Sequence, residues 1–154
     1  VKSAKRLSNI YVSSVGNNCT LLLNVPPNKS GVIAKRDSKA LKGLGKKIKA
    51  MTENPVLVQS FGELKPNDQY FDFNFNSEKR LKYCIISEDI AKSQRVEKFD
   101  LYLKKKNGRY THAYSGTVIG SKKIIKLKGK STGAIFIIRQ SRSTPHIAEI
   151  GFYE

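Results

Sequence analysis

The sequence predicts a mainly β protein, an antiparallel β-sandwich of the jelly-roll type that follows a helix–strand–helix segment. Three observations lead to this fold class. Apolar residues recur every three or four positions in residues 1–15 and 35–51, which is the spacing of amphipathic helices. After Pro55 the apolar period changes to two, the period of half-buried strands. About eight such short runs follow, with turn residues between them, as in an all-β sandwich.

The first predicted helix, residues 1–15, is followed by a predicted strand. We expect Gly16 to end the helix as the residue just after its cap. Residues 21–25 form an apolar run without clean alternation, which is typical of a strand covered on both faces. Pro26 and Pro27 lack the backbone donors that a strand needs, so this strand ends before them.

The second predicted helix covers residues 35–51. Gly43 and Gly45 each weaken it by about 1 kcal/mol relative to alanine, so it depends on packing against the rest of the chain. Pro55 marks the end of this segment. We therefore expect two units, residues 1–54 with the helix–strand–helix and residues 55–154 with the sandwich.

The predicted strands of the sandwich show alternation or short apolar runs. Residues 71–76 and 99–104 alternate most clearly, with Phe or Leu at every second position. An Asn-Gly pair at Asn107 and Gly108 predicts a hairpin between two of the strands. The complete set is 56–61, 71–76, 81–87, 99–104, 109–114, 122–127, 134–139 and 147–153.

The chain is strongly basic, with 29 Lys and Arg, 12 Asp and Glu, and a formal net charge of +17. The excess is spread over both predicted units and is mostly lysine, so a solvated basic surface explains it better than a nucleic-acid site. We expect no specific nucleic-acid partner, although a salt-sensitive attraction to polyanions stays open. No apolar run approaches the ~20 residues of a membrane span. The compartment is left open, with a secreted or periplasmic location as one option.

Cysteine and histidine are too few and too scattered for a metal centre. Cys19 opens the stretch that leads into the predicted strand 21–25, and Cys84 lies in the predicted strand 81–87, so we expect both to be buried free thiols. They do not have zinc-ligand spacing. His146 follows a proline in a predicted loop, so we expect it to be exposed or to act as a local donor. The sequence therefore predicts no metal site and no cofactor.

Four residues are candidates for contact with a substrate. Asn28 follows the predicted strand 21–25, and a turn asparagine that satisfies backbone groups is the alternative. Tyr110, His112 and Tyr114 alternate along one predicted strand, so all three are expected on one face, where they could stack a sugar ring. Ordinary packing in the sandwich is the competing interpretation of these three residues.

Several segments resemble one family of enzymes. Residues 14–18, 21–28 and 30–31 (SVGNN, LLLNVPPN and SG) are similar to the last barrel strand, and the loop after it, of α-L-fucosidases in glycoside hydrolase family 29. Residues 88–99, 116–124 and 145–151 resemble segments of the C-terminal β-sandwich of the same family, in the same order. Ser93 stands where the resemblance implies glycine.

The resemblance implies that residues 1–54 are the end of a (β/α) barrel and residues 55–154 its accessory sandwich. The parent enzyme would hydrolyse terminal α-linked fucose with retention, which requires two carboxyl groups about 5 Å apart. Residues 1–54 contain only Asp37 and Glu53 as acids, and neither follows a strand. The resemblance thus implies a scaffold without catalytic residues. We expect residues 1–54 to pair with the missing barrel, with a second copy or with a sheet edge of the sandwich. A stand-alone carbohydrate-binding sandwich is the alternative function.

Overall fold

The computed structural model describes residues 2–61, 64–65 and 69–154 and contains two α-helices and eight β-strands in this part of the chain. A single 3-10 turn, Ile90–Lys92, lies between the third and fourth strands. The helices are α1 (Ala4–Ser14) and α2 (Lys35–Ala50). The strands are β1 (Pro55–Ser60), β2 (Tyr70–Arg80), β3 (Tyr83–Glu88), β4 (Val96–Lys104), β5 (Tyr110–Gly116), β6 (Lys123–Lys126), β7 (Lys130–Ser141) and β8 (Ile147–Tyr153).

The strands form two antiparallel four-stranded sheets. The first sheet has the order β1–β8–β3–β6 and the second has the order β2–β7–β4–β5. Strand β1 pairs with β8, β2 with β7, β3 with β6 and β4 with β5, which is the nested pairing of a jelly roll. The predicted mainly β sandwich is therefore confirmed. Each of the eight predicted strands coincides with an observed one.

The core between the sheets is rich in aromatic side chains. The Phe73 and Phe75 rings of β2 lie 5.1 and 5.3 Å from the Phe152 ring of β8, measured between centroids. Phe99 of β4 lies 5.4 Å from Phe136 of β7. Burying a side chain of this size contributes about 1.5–3 kcal/mol relative to leaving it exposed. The period-two pattern in the sequence therefore corresponds to the inward faces of both sheets.

The turn after α1 attaches residues 1–54 to the sandwich. The Ile124 amide donates to the Gly16 carbonyl at 2.9 Å, and Asn17 forms a β-bridge with Lys123. Gly16 ends the helix as predicted, but not through a left-handed φ, because it is absent from the positive-φ glycines. Glycine is required here because there is no room for a side chain: a Cβ at Gly16 would lie 2.8 Å from the Cβ of Ile124.

A small second core forms at this junction. Val12 of α1, Met51 at the end of α2 and Ile124 of β6 are buried together there. The division at residue 54 remains a prediction, since the two segments share this cluster.

The predicted strand at residues 21–25 is wrong. In the described chain this segment is extended, but it belongs to neither sheet. Burial alternates along it, and Leu22 is 91% exposed while Leu21 and Leu23 are half-buried. The apolar run was interpreted as a strand covered on both faces, yet the described chain offers it no neighbouring strand. One side of the segment instead borders an apolar groove of about 570 Å³ between α1 and α2.

Two cysteines, one histidine and the first residue complete the comparison with the sequence. Cys19 is exposed, against expectation, because the segment that carries it does not enter a sheet; Cys84 is buried as predicted. His146 is buried, although a loop position suggested exposure. Val1, which began the predicted first helix, lies outside the described residues.

Candidate functional site

The outward face of the second sheet carries polar and aromatic side chains that could meet a ligand. Strand register places three rows across β2, β7, β4 and β5. The rows are Tyr70–Ile137–Asp100–Ser115, Asp72–Ile135–Tyr102–His112 and Asn74–Gly133–Lys104–Tyr110. We call this surface the outer face. Two of the predicted site residues, Tyr110 and His112, belong to it.

A β-bulge in β5 separates Tyr114 from the other two predicted residues. The register places Tyr114 opposite Leu101 and His112 opposite Tyr102, so one extra residue lies between them. Leu101 points into the core, and Tyr114 follows it there, with its ring 5.9 Å from that of Phe99. The expectation that all three residues share one face is therefore wrong. The alternating residues of this strand give no sequence signal for a bulge. The extra residue reverses the direction of the side chains that follow it.

A chain of hydrogen bonds joins four polar residues of the outer face. The Ser115 hydroxyl donates to Asp100 Oδ1 at 2.5 Å, and Arg139 Nε donates to Asp100 Oδ2 at 2.7 Å. His112 Nε2 lies 2.7 Å from Ser115 Oγ. Arg139 also reaches the Tyr102 hydroxyl at 3.3 Å. The sequence contained these residue types, but only the register brings them together.

This cluster is not a nucleophilic triad, although it contains Ser, His and Asp. An ionised carboxylate can only accept, so the hydroxyl hydrogen of Ser115 lies in its bond to Asp100. His112 Nε2 must then donate to Ser115 Oγ. A general base would have to accept the proton of the serine, which requires the opposite direction. The cluster can instead present fixed donors and acceptors to a polar ligand.

The charges in the cluster stabilise one another. The hydrogen bond from Ser115, assisted by Arg139, holds the pKa of Asp100 below its usual value, against the opposing effect of partial burial. In the same way, the bond to Asp100 raises the pKa of Arg139. Both groups therefore stay ionised near neutral pH, and a ligand meets an ion pair whose orientation is fixed by its neighbours.

A cavity of about 350 Å³ lies beside this cluster, at the end of β5. Tyr114 and Phe99 give it an aromatic wall, and Asp100, Ser115 and Arg139 give it a polar one. Lys123 also borders it, with its Nζ 5.4 Å from the centre of the Tyr114 ring. The volume is within the range of small-molecule sites, about 300–1,000 Å³. Of the three predicted strand residues, Tyr114 borders this cavity, whereas Tyr110 lies at the opposite end of β5, where it pairs with Lys104.

Asn28 has a local structural role in the loop before α2. Its side-chain oxygen accepts from the backbone N–H groups of Ser30 at 2.9 Å and Val32 at 3.2 Å. The backbone N–H of Asn28 donates to the Val32 carbonyl. These bonds close a turn, as expected for a turn asparagine. The structure does not bring Asn28 near Tyr110 or His112 through any contact among the described residues.

The buried carboxylate of the sandwich, Glu88, is also occupied by the fold. It is 3% exposed, and it accepts backbone hydrogen bonds from Arg95, Val96 and Gly120 at 2.8–2.9 Å. These bonds hold the loop 89–95 to the turn before β6. Other acids serve as surface partners, such as Glu97 with Arg142. Within the described residues no group of three or more potential metal ligands occurs, and no helix is long and apolar enough to cross a membrane.

The chain is similar to α-L-fucosidases in sequence and in fold. It is 27% identical to α-L-fucosidase 1 of Arabidopsis thaliana over 184 aligned positions, which cover 99% of this chain and 36% of the plant enzyme. A crystal structure of a protein described as a putative α-L-fucosidase from Bacteroides thetaiotaomicron superimposes with a TM-score of 0.91 at 26% identity. The match covers 100% of this chain and 35% of that one.

A second solved structure is also similar to the chain. A glycoside hydrolase 29 family member from an unknown rumen bacterium superimposes with a TM-score of 0.85 at 28% identity, over 99% of this chain and 29% of that one. No family model matches the sequence. From the three coverages, the chain spans about a third of the length of these relatives. The resemblance noted from the sequence motifs is confirmed.

Proposed function

We propose that the chain is the C-terminal portion of a retaining α-L-fucosidase of glycoside hydrolase family 29, a proposal supported by its similarity to α-L-fucosidases over almost its whole length. In this proposal the complete enzyme hydrolyses terminal α-linked fucose, and the chain contributes scaffold without catalysis of its own. The observation that carries the proposal is the coverage: 99% of this chain aligns with only 36% of the plant enzyme.

The roles of the carboxyl groups support inactivity of the chain alone. Retaining hydrolysis needs a nucleophile and an acid about 5 Å apart in one cleft. Glu88 is buried and bound by three backbone amides, while Asp100 and Glu97 are engaged with arginines. Burial makes Glu88 inaccessible to a sugar, and the arginine pairs are structural partners for Asp100 and Glu97 on the sandwich surface.

A chromogenic α-L-fucoside tests this directly. We expect the purified chain to release no chromophore above the blank, because the ~10⁶-fold or larger acceleration of an enzyme has no source in it. Activity that follows the protein through successive purification steps and is lost with Asp100→Asn would contradict the proposal and identify the outer face as catalytic.

A second function, direct contact with glycan by the sandwich, is favoured by the outer face. Tyr110 and His112 are exposed on it, and the Asp100–Arg139 pair offers adjacent acceptors and donors. Tyrosine rings present an apolar body with a polar tip, which suits the mixed surface of a sugar. Within this proposal the ligand is a fucosylated oligosaccharide.

The contact can be measured by titrating the labelled chain with fucosylated oligosaccharides and following backbone amide shifts. We expect shifts on β4 and β5, and an affinity loss of about fivefold in His112→Ala or Tyr110→Ala, which corresponds to one hydrogen bond or ring contact. Val58→Ala, at an exposed position of the first sheet, is the matched control. Shifts confined to residues outside the second sheet would rule out this face.

The segment at residues 21–25 supplies the remaining part of the proposal. Its backbone belongs to no sheet, and the neighbouring groove between α1 and α2 is apolar. An extended segment whose backbone N–H and C=O groups are unpaired can pair with a further strand, as the edge of a sheet does. We assign this segment to the rest of the barrel, with self-association as the substitute when the barrel is absent. Light scattering across a salt series should show more dimer at high salt, because the net charge of +17 opposes association when it is unscreened.

A further inference from the structure

A groove between the start of α1 and the exposed side of α2 concentrates positive charge. It has a volume of about 880 Å³. Six cationic side chains line it: Lys2, Lys35, Arg36, Lys39, Lys42 and Lys46. We call this surface the basic groove. It lies on residues 1–54, away from the outer face of the second sheet.

The lysines of α2 form a continuous stripe. Lys35, Lys39, Lys42, Lys46 and Lys49 follow at alternating intervals of four and three, so they lie on one side of the helix. All five are exposed. At 1.5 Å per residue the stripe is about 21 Å long. Neighbouring like charges at these intervals destabilise a helix, so the stripe is not explained by the stability of α2.

No carboxylate of the described residues forms a salt bridge with the basic groove. Among the described residues there are three salt bridges, and all of them lie in the sandwich, at Glu78, Glu97 and Asp100. Asp37 is the single acidic residue of α2, and it borders the apolar groove on the other side of the helix. The lysines of the groove are therefore exposed and have no ion-pair partner among the residues that the structure describes.

We propose that the basic groove binds a sulfated polysaccharide. A row of cations about 21 Å long is complementary to a linear chain with regularly spaced anionic groups. Sulfate esters stay ionised over the whole working range of pH, so the attraction does not depend on protonation of the ligand. The choice of a polysaccharide rests on the proposed function, in which the parent enzyme acts on glycans.

Two other polyanions fit the groove less well. Nucleic-acid surfaces combine cations with aromatic rings for stacking, or with arginines for reading bases, whereas the groove lining has no aromatic residue and one arginine, Arg36. A membrane-surface helix needs an apolar face that can enter the lipid. The apolar side of α2 is turned inward, and Leu44 is buried.

The test uses the intact chain and heparin as the sulfated probe, with dextran as the neutral one. Lys39→Gln, Lys42→Gln and Lys46→Gln are combined in one variant, since glutamine keeps the helix propensity of lysine. The matched control combines Lys92→Gln, Lys106→Gln and Lys128→Gln, three exposed lysines of the sandwich. Both variants lose three positive charges, so the location of the charge is the only difference.

We expect heparin affinity that falls steeply with salt. By analogy with counterion release from other polyanions, the groove variant should lower the slope of log affinity against log salt by about two to three, and the sandwich variant should leave it close to wild type. Dextran should not bind. Equal losses in both variants would show that net charge alone is responsible and would overturn the assignment.

Duplex DNA and anionic vesicles serve as the competing ligands at the same charge concentration. Binding of either that is tighter than heparin and equally dependent on Lys39, Lys42 and Lys46 would overturn the choice of a polysaccharide. The outcome is independent of fucosidase activity, so failure of this inference and failure of the proposed function are distinguishable. Helicity measured by circular dichroism confirms that the variants remain folded.

Discussion

Asn18 and Ser121 join the two segments of the chain through one side-chain oxygen. Asn18 Oδ1 accepts from the Ser121 backbone N–H at 2.8 Å and from the Ser121 hydroxyl at 2.9 Å. Asn18 also has a φ of 61°, a left-handed value that asparagine tolerates better than most residues. A single residue thus meets both a conformational and a bonding requirement at the junction between α1 and the sandwich.

Substituting Asn18 separates these two requirements. Asn18→Ala should lower the free energy of unfolding by about 1–3 kcal/mol, because it loses both hydrogen bonds and strains the left-handed backbone. Asn18→Gly loses the same bonds without the strain, so it should be destabilised less. Urea titration measures both. If the alanine variant is as stable as wild type, the junction does not depend on this residue.

Ser93 offers a stabilising substitution. Its φ of 77° and ψ of 159° lie in a region that is essentially restricted to glycine and costs about 1–3 kcal/mol for other residues. Ser93→Gly should therefore raise the free energy of unfolding by about 1 kcal/mol, part of the gain being offset by the greater freedom of glycine in the unfolded chain. Ser93→Ala keeps the strain and should give no gain. A glycine variant that unfolds earlier than wild type in a thermal scan would contradict this prediction.

Glu88 should be among the most sensitive polar positions. Glu88→Gln keeps the shape of the side chain but replaces an accepting oxygen with an amide that faces a backbone donor. We expect a loss of about 2–4 kcal/mol in the free energy of unfolding. Glu78→Gln, which breaks the exposed salt bridge to Lys130, should cost no more than about 0.5 kcal/mol. Chemical denaturation of the two variants in parallel gives the comparison, and equal losses would show that the three amides are satisfied in another way.

The Asp100 cluster should make stability depend on pH in the acid range. The folded-state pKa of Asp100 is lowered, chiefly by the Ser115 hydrogen bond, so its contribution is present above the unfolded pKa of about 3.9. It is lost as the pH falls through the lower folded value. The gap in stability between wild type and Asp100→Asn should therefore be fully open at pH 6 and should narrow progressively as the pH falls below about 4. Asp72→Asn, on the same face, is the control, and a gap that does not narrow between pH 4 and pH 2 would contradict the mechanism.

Residues 55–154 should fold alone, with reduced stability. All eight strands and the aromatic core lie in this range, which is a sufficient length for one domain. Removing residues 1–54 exposes Ile124, which loses Val12 and Met51, at a cost of about 1–3 kcal/mol. A thermal scan should still show one cooperative transition, at a lower temperature than in the full chain. A non-cooperative melt would mean that the junction is part of the folding unit.

The strands were predictable because each carries its own periodicity. Alternating phenylalanines at positions 71–75 needed no information from elsewhere in the chain, and the Asn107–Gly108 hairpin is encoded by two adjacent residues. Residues 21–25 show the limit of this reasoning. These residues are apolar and extended, as a strand would be. A strand also needs a neighbouring strand to pair with, and the described chain does not supply one.

The polar cluster could not be predicted for a different reason. Asp100, Ser115 and Arg139 lie up to 39 positions apart, and only the register of three strands brings them into contact. The β5 bulge also changed which face Tyr114 occupies. The sequence of β5 indicated a strand with both aromatic and polar side chains. Which of those side chains share a face depended on the one extra residue of the bulge.

The exposed position of Cys19 gives the chain a selective chemical handle. The other thiol, Cys84, is fully enclosed in the core, and burial raises its pKa, so it resists deprotonation and access by reagents. A maleimide dye added to the folded protein would therefore attach at one place. That place lies two residues before the apolar segment 21–25, where fluorescence would report on whatever strand comes to lie beside it.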